Sequence, residues 1–337
     1  MRKYLLPTEG NWYKANLHTH TNVSDGNFSP ERMKEEYKAR GYSIIAFTDH
    51  NVLVDHSYLA DEDFLPLLGW EVDLNEDKPW SESPKTCHIC FIALEKENAR
   101  QHFVRRWAIP NGAAAHADRI RIDDATPDGE TLHTPEHVST VMEGARAAGF
   151  FVTYNHPAWS LETREDYASY HGMHAMEICN FGCYEAGYED YNGYIYDDIL
   201  RTGNRIYCTA TDDNHNGTEN VLHDSFGGFT MICAESLDYR TVTRALEAGN
   251  FYASMGPTIH ELYIEDDTVH IKCSPARRIA LHTGARFSFA KWAREGEPLL
   301  TEASFPLYGR DPIYFRLDVT DAEGKHANTN AYFTDTL

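Results

Sequence analysis

The fold is decided by an apolar run that ends in polar residues: Ser43-Ile44-Ile45-Ala46-Phe47-Thr48-Asp49-His50. Residues 43–47 predict a short buried strand, because they are apolar or small and rich in β-branched and aromatic side chains. Upstream, Ser29-Pro30-Glu31 is typical of a helix start, and Gly41 of a helix end. The unit is therefore a helix followed by a buried strand whose carboxyl end carries an aspartate and a histidine.

The same unit recurs along the chain up to about residue 256. A helical pattern at 134–149 leads into a strand at 151–154, one at 191–202 into 206–209, and one at 237–248 into 251–253. This alternation predicts a mainly parallel sheet with helices outside, either a closed barrel or an open doubly wound sheet. Residues 96–133 and 158–173 interrupt the pattern, as rim segments of an active site or as surface excursions.

After Pro257 the helical patterns fade. Short alternating segments appear at 259–264, 269–273, 279–282, 313–319 and 327–333, with a hairpin turn at Asp321-Ala322-Glu323-Gly324. We therefore predict two domains, an α/β domain over residues 1–256 and a small β-sandwich over residues 257–337.

Composition and charge exclude several classes of function. The 337-residue chain has a formal net charge of −22, which would repel a nucleic-acid polymer or an anionic membrane. Without an apolar run of transmembrane length or a secretory h-region, we expect a cytoplasmic protein that does not bind membranes. The seven cysteines are expected to be reduced, and Cys87-His88-Ile89-Cys90 favours a strand over a zinc site.

Histidines and carboxylates follow one strand after another. His18 and His20 are two residues apart, so on an extended chain they point to the same side. The carboxyl ends of strands in a parallel barrel converge on one face, where such enzymes carry their sites. Oxygen and nitrogen ligands of this kind suit two or three divalent ions such as Zn, Mn or Fe. The candidate ligands are His18, His20, Asp25, His50, Glu71, His88, His156, Asp213 and His215.

This ordered set resembles the PHP (polymerase and histidinol phosphatase) superfamily of metallohydrolases. The matching strings are His18-Thr19-His20, Ser24-Asp25-Gly26, Thr48-Asp49-His50, Glu71, His88, Asn155-His156-Pro157 and Asp213-Asn214-His215. Residues 245–257 are also similar to the end of the domain in its amidohydrolase-like, carbaryl-hydrolase-related branch.

The resemblance implies a distorted (β/α)7 barrel with three metal positions. His18, His20, Glu71 and Asp213 would hold one ion. Glu71 would bridge to a second ion held with His88 and His156. Asp25, His50 and His215 would hold the third.

The resemblance also implies a metal-dependent phosphoesterase acting on a small, anionic phosphate ester, nucleotide-like or sugar-phosphate-like. Asp49 is expected to support the ligands, Asn180 to face the pocket and Arg119 to grip a phosphate. Two alternatives stay open: a metal-dependent amide, carbamate or ester hydrolase, and a non-catalytic, metal-stabilised binding protein. The sequence does not decide the substrate, the metal, the oligomeric state or the role of the β tail.

Overall fold

The computed structural model describes residues 2–122, 127–217 and 221–337. Within these residues the chain forms eighteen strands and six α-helices. The strands are β1 (Lys3–Tyr4), β2 (Asn11–Asn16), β3 (Tyr42–Phe47), β4 (Leu65–Asn75), β5 (Thr86–Ala93), β6 (Phe150–Tyr154), β7 (Ala175–Asn180), β8 (Tyr207–Thr211), β9 (Phe229–Ala234), β10 (Phe251–Ser254), β11 (Ile259–Glu265), β12 (Thr268–Ala276), β13 (Arg278–Thr283), β14 (Phe289–Trp292), β15 (Leu300–Pro306), β16 (Tyr314–Thr320), β17 (His326–Thr329) and β18 (Tyr332–Phe333). The helices are α1 (Pro30–Lys38), α2 (Pro135–Ala147), α3 (Arg164–Tyr167), α4 (Phe181–Glu185), α5 (Gly193–Arg201) and α6 (Tyr239–Ala248).

Strands β2 to β8 form a seven-stranded barrel in chain order. Neighbouring strands are parallel except around β5, which runs antiparallel to both β4 and β6. A parallel bridge between Thr19 and Asn214, just beyond β2 and β8, joins the two ends of the sheet. The mixed α/β fold with a distorted barrel is therefore confirmed, and the open doubly wound alternative is wrong.

The predicted helix signals act locally as expected. The side chain of Ser29 accepts a hydrogen bond from Arg32 N at the start of α1, and Thr134 caps α2 in the same way. Met33 and Tyr37 are buried on the inner face of α1. One large apolar core fills the barrel and the space under its helices. These contacts fix the strand ends and thus the residues that follow them.

The C-terminal strands form two sheets around a core of their own. One sheet contains β11, β12 and β15 and also takes in the N-terminal strand β1. The other is continuous with the barrel strands, because β17 pairs with β10. The antiparallel register of Thr320 with His326 confirms the predicted hairpin. The division at residues 256 and 257 stays a prediction.

The two interruptions of the alternation lie beside the barrel. Residues 96–133 contain 3-10 turns, and residues 123–126 of this stretch lie outside the described part of the chain. In the described ranges, none of the helices combines the length and the apolar character needed to cross a membrane.

Candidate metal centre

The nine predicted ligands come together at one end of the barrel. His18 and His20 follow β2, His50 follows β3, His156 follows β6 and Asp213 follows β8. Glu71 lies within the long strand β4. His88 stands near the start of β5, and because that strand is antiparallel, its start lies at the same face as the ends of its neighbours. His88 thus reaches the same place from the start of a strand, because the direction of β5 is reversed.

The first group lies at the bottom of the barrel mouth. Asp213 Oδ1 is 3.1 Å from His18 Nε2 and 3.0 Å from His20 Nε2. The two imidazole nitrogens face each other at 3.1 Å. All three side chains are buried. These donor atoms converge on one small volume.

Glu71 lies between the first group and a second one. Its Oε1 is 3.2 Å from His18 Nε2 and from His88 Nδ1, and 3.3 Å from His156 Nε2. Its Oε2 is 3.2 Å from His50 Nδ1 and 3.4 Å from His20 Nε2. One buried carboxylate therefore contacts five imidazoles, which is the arrangement expected of a bridging ligand.

The third group lies nearer to solvent. Asp25 Oδ2 is 3.6 Å from His50 Nε2 and 3.4 Å from His215 Nε2, and Asp25 Oδ1 is 3.6 Å from His20 Nδ1. The Asp25 side chain is half exposed. This group forms the outer part of the cluster.

The donor set fits divalent ions. Among the described residues, the buried atoms Glu71 Oε2, Asp213 Oδ1 and His50 Nδ1 have no hydrogen-bond partner. Leaving such atoms unpaired is costly unless something else satisfies them. The distances from these atoms to the neighbouring donor atoms are 3.0–3.4 Å. Neighbouring ligands on one ion are about 3.0–3.4 Å apart when each bond is about 2.1 Å.

The imidazoles and carboxylates of the cluster shift the pKa values of one another. Burial alone would raise the pKa of Glu71, yet His18, His88 and His50 hold it well below the usual range. Burial alone would lower the pKa of His20, but Asp213 and Glu71 raise it well above the usual range. The carboxylates thus favour positive charge at the cluster, from protons or from metal ions.

The three further predicted residues lie at different distances from the cluster. Asp49 accepts hydrogen bonds from the backbone and hydroxyl of Thr21 and Ser24, and so holds the turn that carries Asp25. Asn180 Nδ2 donates to Asp213 Oδ2 at 3.0 Å, and its Oδ1 caps α4, so Asn180 lies behind the cluster. Arg119 stacks on Tyr58, away from the residues that line the cavity. The roles assigned to all three stay predictions.

The sequence reasoning missed Glu177. This fully buried carboxylate accepts from His18 Nδ1 at 2.7 Å and from His156 N at 3.0 Å. Thr211 Oγ1 donates to it at 2.6 Å. A single charged residue among the apolar residues 175–179 was the signal that could have found it. Such a carboxylate fixes the tautomer and orientation of an imidazole ligand.

Cys90 also lies next to the cluster. It pairs with Glu71 across β4 and β5, and its sulfur accepts from Asn155 Nδ2 at 3.2 Å. Burial raises the pKa of the Cys90 thiol, which favours the neutral form over the thiolate that binds metals. All seven cysteines are free and buried, as expected of reduced thiols.

A cavity of about 690 Å³ opens over the cluster. Trp159, from the interruption at 158–173, lies on its wall with Trp80. Asp73 is also on the wall, and the buried Arg105, from the interruption at 96–133, donates to Asp73 Oδ1 at 2.6 Å. Both interruptions therefore contribute to the surroundings of the cavity.

Sequence comparison identifies the family. The sequence model of the PHP domain matches residues 16–184, half of the chain. The chain belongs to the PHP family. It is accordingly a metal-dependent hydrolase that binds divalent metal, while the number and identity of the ions are matters of proposal. No curated protein matches this PHP protein, and its assignment to the carbaryl-hydrolase-related branch stays an expectation.

Solved structures resemble this PHP protein at low sequence identity. A two-domain protein containing a PHP-like metal-dependent phosphoesterase from Bacteroides vulgatus is 14% identical, with a TM-score of 0.47, covering 98% of this chain and 97% of that one. A protein named as a metal-dependent phosphoesterase from Bifidobacterium adolescentis is 15% identical, with a TM-score of 0.40 and coverages of 66% and 98%. An amidohydrolase from Chromobacterium violaceum, with bound sulfate and no metal, is 18% identical, with a TM-score of 0.41 and coverages of 70% and 96%.

Proposed function

We propose that the protein hydrolyses a small phosphate ester with two or three divalent ions, Zn, Mn or Fe, held by the nine predicted ligands. The observation that carries the proposal is the sharing of Glu71 and Asp213 among imidazoles of neighbouring groups, all within 4 Å. Shared carboxylates imply adjacent ions. When bound, such ions lower the pKa of a water molecule toward neutrality and neutralise the oxygens of a phosphoryl group.

The residues of the chain set up this chemistry in two ways. Glu177 and Asn180 contact His18 Nδ1 and Asp213 Oδ2, which leaves His18 Nε2 and Asp213 Oδ1 facing each other at 3.1 Å. Asp49 holds the turn that places Asp25 at the outer edge. A rigid set of donors costs little reorganisation during reaction, which is the main source of electrostatic catalysis.

A phosphate ester is favoured over an amide by the shared carboxylates of Glu71 and Asp213, because they imply adjacent cations. The described residues that line the cavity include no lysine or arginine, so metal ions would be needed to offset the charge of a phosphoryl group. Adjacent cations suit in-line displacement at phosphorus, because they contact the entering and the leaving oxygen together.

Metal analysis followed by a substrate panel tests the proposal. The full chain is loaded separately with Zn, Mn and Fe, and the bound ions per chain are counted. Turnover of a nucleoside monophosphate, a sugar phosphate, a generic phosphodiester and an aryl carbamate is then compared, with His18→Ala as the matched control. We expect two or three ions and turnover of a phosphomonoester. Carbamate turnover alone would overturn the choice of phosphorus, and full metal occupancy without any turnover would overturn the enzymatic proposal.

A further inference from the structure

Two tryptophans form one wall of the cavity directly beside the predicted ligands. The Trp159 ring stands edge-on to His88 and His156, with centroid distances of 5.0 and 5.1 Å. The Trp80 ring lies 6.3 Å from Trp159 at an angle of 42°. A phosphoryl group at the metal cluster would therefore direct one of its substituents along this aromatic wall.

The backbone that carries Trp159 is held in place by Asp190. The buried carboxylate of Asp190 accepts from the backbone of Ala158 at 3.2 Å and of Trp159 at 3.0 Å. Trp80, by contrast, is 68% exposed. An aromatic ring of this size left open to water at the mouth of a cavity offers apolar area to a ligand.

The polar groups on the same wall are already paired with each other. Asp73 accepts from Asn51, Asn75 and Arg105 at 2.6–2.7 Å. These contacts leave the tryptophan faces as the main free surface for the organic part of a substrate. A sugar would need several free hydrogen-bonding side chains here, whereas a planar ring needs only a face to stack on.

The charge of the cavity limits the substrate further. Its carboxylates include Asp73 and Asp224, away from the closest contacts of the cluster, and its described lining residues include no lysine or arginine. The sequence at 123–126 and 218–220, outside the described part, contains no lysine or arginine either. A second phosphate on the substrate would therefore meet Asp224 and Asp73, and the cation paired with Asp73, Arg105, is buried behind it.

We propose that the cavity selects phosphomonoesters whose alcohol carries a planar aromatic ring and no second anionic group, with that ring packed on Trp80 and Trp159. This inference rests on the proposed phosphoesterase function and adds the class of leaving group. Beyond the two tryptophans, a shallow hollow of about 280 Å³ next to Tyr188 leaves room for a substituent on the ring.

Binding of two matched phosphonates tests the aromatic wall independently of turnover. Benzylphosphonate and cyclohexylmethylphosphonate share the same anion and differ in ring planarity. Calorimetry on the metal-loaded full chain is expected to give about fivefold tighter binding of the benzyl compound. Trp80→Leu should bring the ratio close to one, Trp80→Phe should retain it, and Trp292→Leu, which removes a 59% exposed tryptophan on β14, should leave it unchanged.

The outcomes separate this inference from the proposed function. Equal binding of the two phosphonates, tighter binding of the cyclohexyl compound, binding of neither, or a ratio that Trp80→Leu does not change would each overturn the aromatic wall. Turnover of benzyl phosphate and propyl phosphate is measured in parallel. Ring preference without turnover of any phosphate ester would keep the aromatic wall and overturn the phosphoesterase function. Turnover of a phosphate ester without ring preference would keep the phosphoesterase function and overturn the aromatic wall.

Discussion

Two regions of the molecule bury charged side chains. In one region these side chains are hydrogen-bonded to each other, and in the other some of their atoms have no hydrogen-bond partner among the described residues. At the junction of the barrel with the C-terminal strands, the buried Arg316 donates from Nε and Nη2 to both oxygens of Asp197, at 2.9 and 2.8 Å. It also donates to Asn328 Oδ1 and Gly193 O. At the barrel mouth, Glu71 and Asp213 are just as buried, yet each has an oxygen with no hydrogen-bond partner among the described residues.

The difference shows how a structural network is told from a ligand site. Each of the three guanidinium nitrogens of Arg316 donates to an acceptor, and these bonds fix the contact between α5 and β16. At the barrel mouth the unpaired oxygen and nitrogen atoms of Glu71, Asp213 and His50 point toward one another. The neighbouring described side chains form no hydrogen bond with them. Burial and charge are alike in both regions, and the direction of the free atoms is what separates them.

The largest expected effect is at the mouth. His18→Ala removes an imidazole that contacts both Asp213 and Glu71, and we expect metal-dependent turnover to fall more than about 100-fold. Chelation should also lower the wild-type free energy of unfolding by about 3 kcal/mol, the value for an ion present at 100 times its Kd. Metal content and urea unfolding with and without chelator measure both effects.

Arg316→Leu provides the control for the chelation experiment. Its unfolding free energy should respond to chelator as the wild type does, because the hydrogen bonds of Arg316 involve no predicted metal ligand. His18→Ala should respond much less. If chelation leaves the wild-type stability unchanged in a protein shown to be metal-loaded, the proposed link between unpaired atoms and ion binding is wrong.

The second-largest effect is expected at the junction of the barrel with the C-terminal strands. Arg316→Met leaves Asp197 buried without its cation, and we expect the free energy of unfolding to fall by about 3–5 kcal/mol. The double variant Arg316→Met/Asp197→Leu should recover much of the loss, because no charge stays unpaired. Arg205 and Asp335 form a matched but exposed pair, and Arg205→Met should change stability little. Urea denaturation at pH 7 measures all three variants.

The third effect concerns Glu177. Both of its oxygens accept hydrogen bonds, as in the Arg316 network, and it also holds the predicted ligand His18. Glu177→Gln keeps the shape but weakens the bond to His18 Nδ1, so we expect metal affinity to fall about 10- to 100-fold. Stability of the metal-free protein should change much less. Equal loss of stability with and without metal would instead assign Glu177 a purely structural part.

Local patterns predicted the alternation of helices and strands and the convergence of the polar residues, whereas the choice of a barrel over an open sheet came from the resemblance to the PHP superfamily. Strand ends such as Thr48-Asp49-His50 carry their polar residues next to the apolar run that positions them. The reversal of β5 was not predictable, since it depends on pairing with β4 and β6. Glu177, Trp80 and Arg105 were missed because their importance comes from partners distant in sequence.

The smallest effect tests whether an unpaired buried group is enough to make a ligand site. His56 is buried against Phe47 and His116, and its ring nitrogens have no hydrogen-bond partner in the described parts of the chain. Burial, followed by the charge of His116, lowers the pKa of His56 to about 3, although Glu31 and Asp55 act in the opposite direction. Among the described residues, no carboxylate forms an ion pair with His56 as Asp213 and Glu71 do with His20.

The sign of the pH effect follows from this lowered pKa. Below about pH 6.5, His56 is protonated in the unfolded chain but stays neutral in the folded chain. The free energy of unfolding therefore falls as the pH decreases toward 3. At pH 5 this amounts to about 2 kcal/mol. His56→Leu should therefore lose less stability than wild type between pH 7.5 and 5, whereas His260→Leu, at an exposed histidine, should follow the wild type. If His56→Leu loses as much as wild type, His56 is charged in the folded protein, and unpaired nitrogens alone, without convergent carboxylates, would then be enough to hold positive charge.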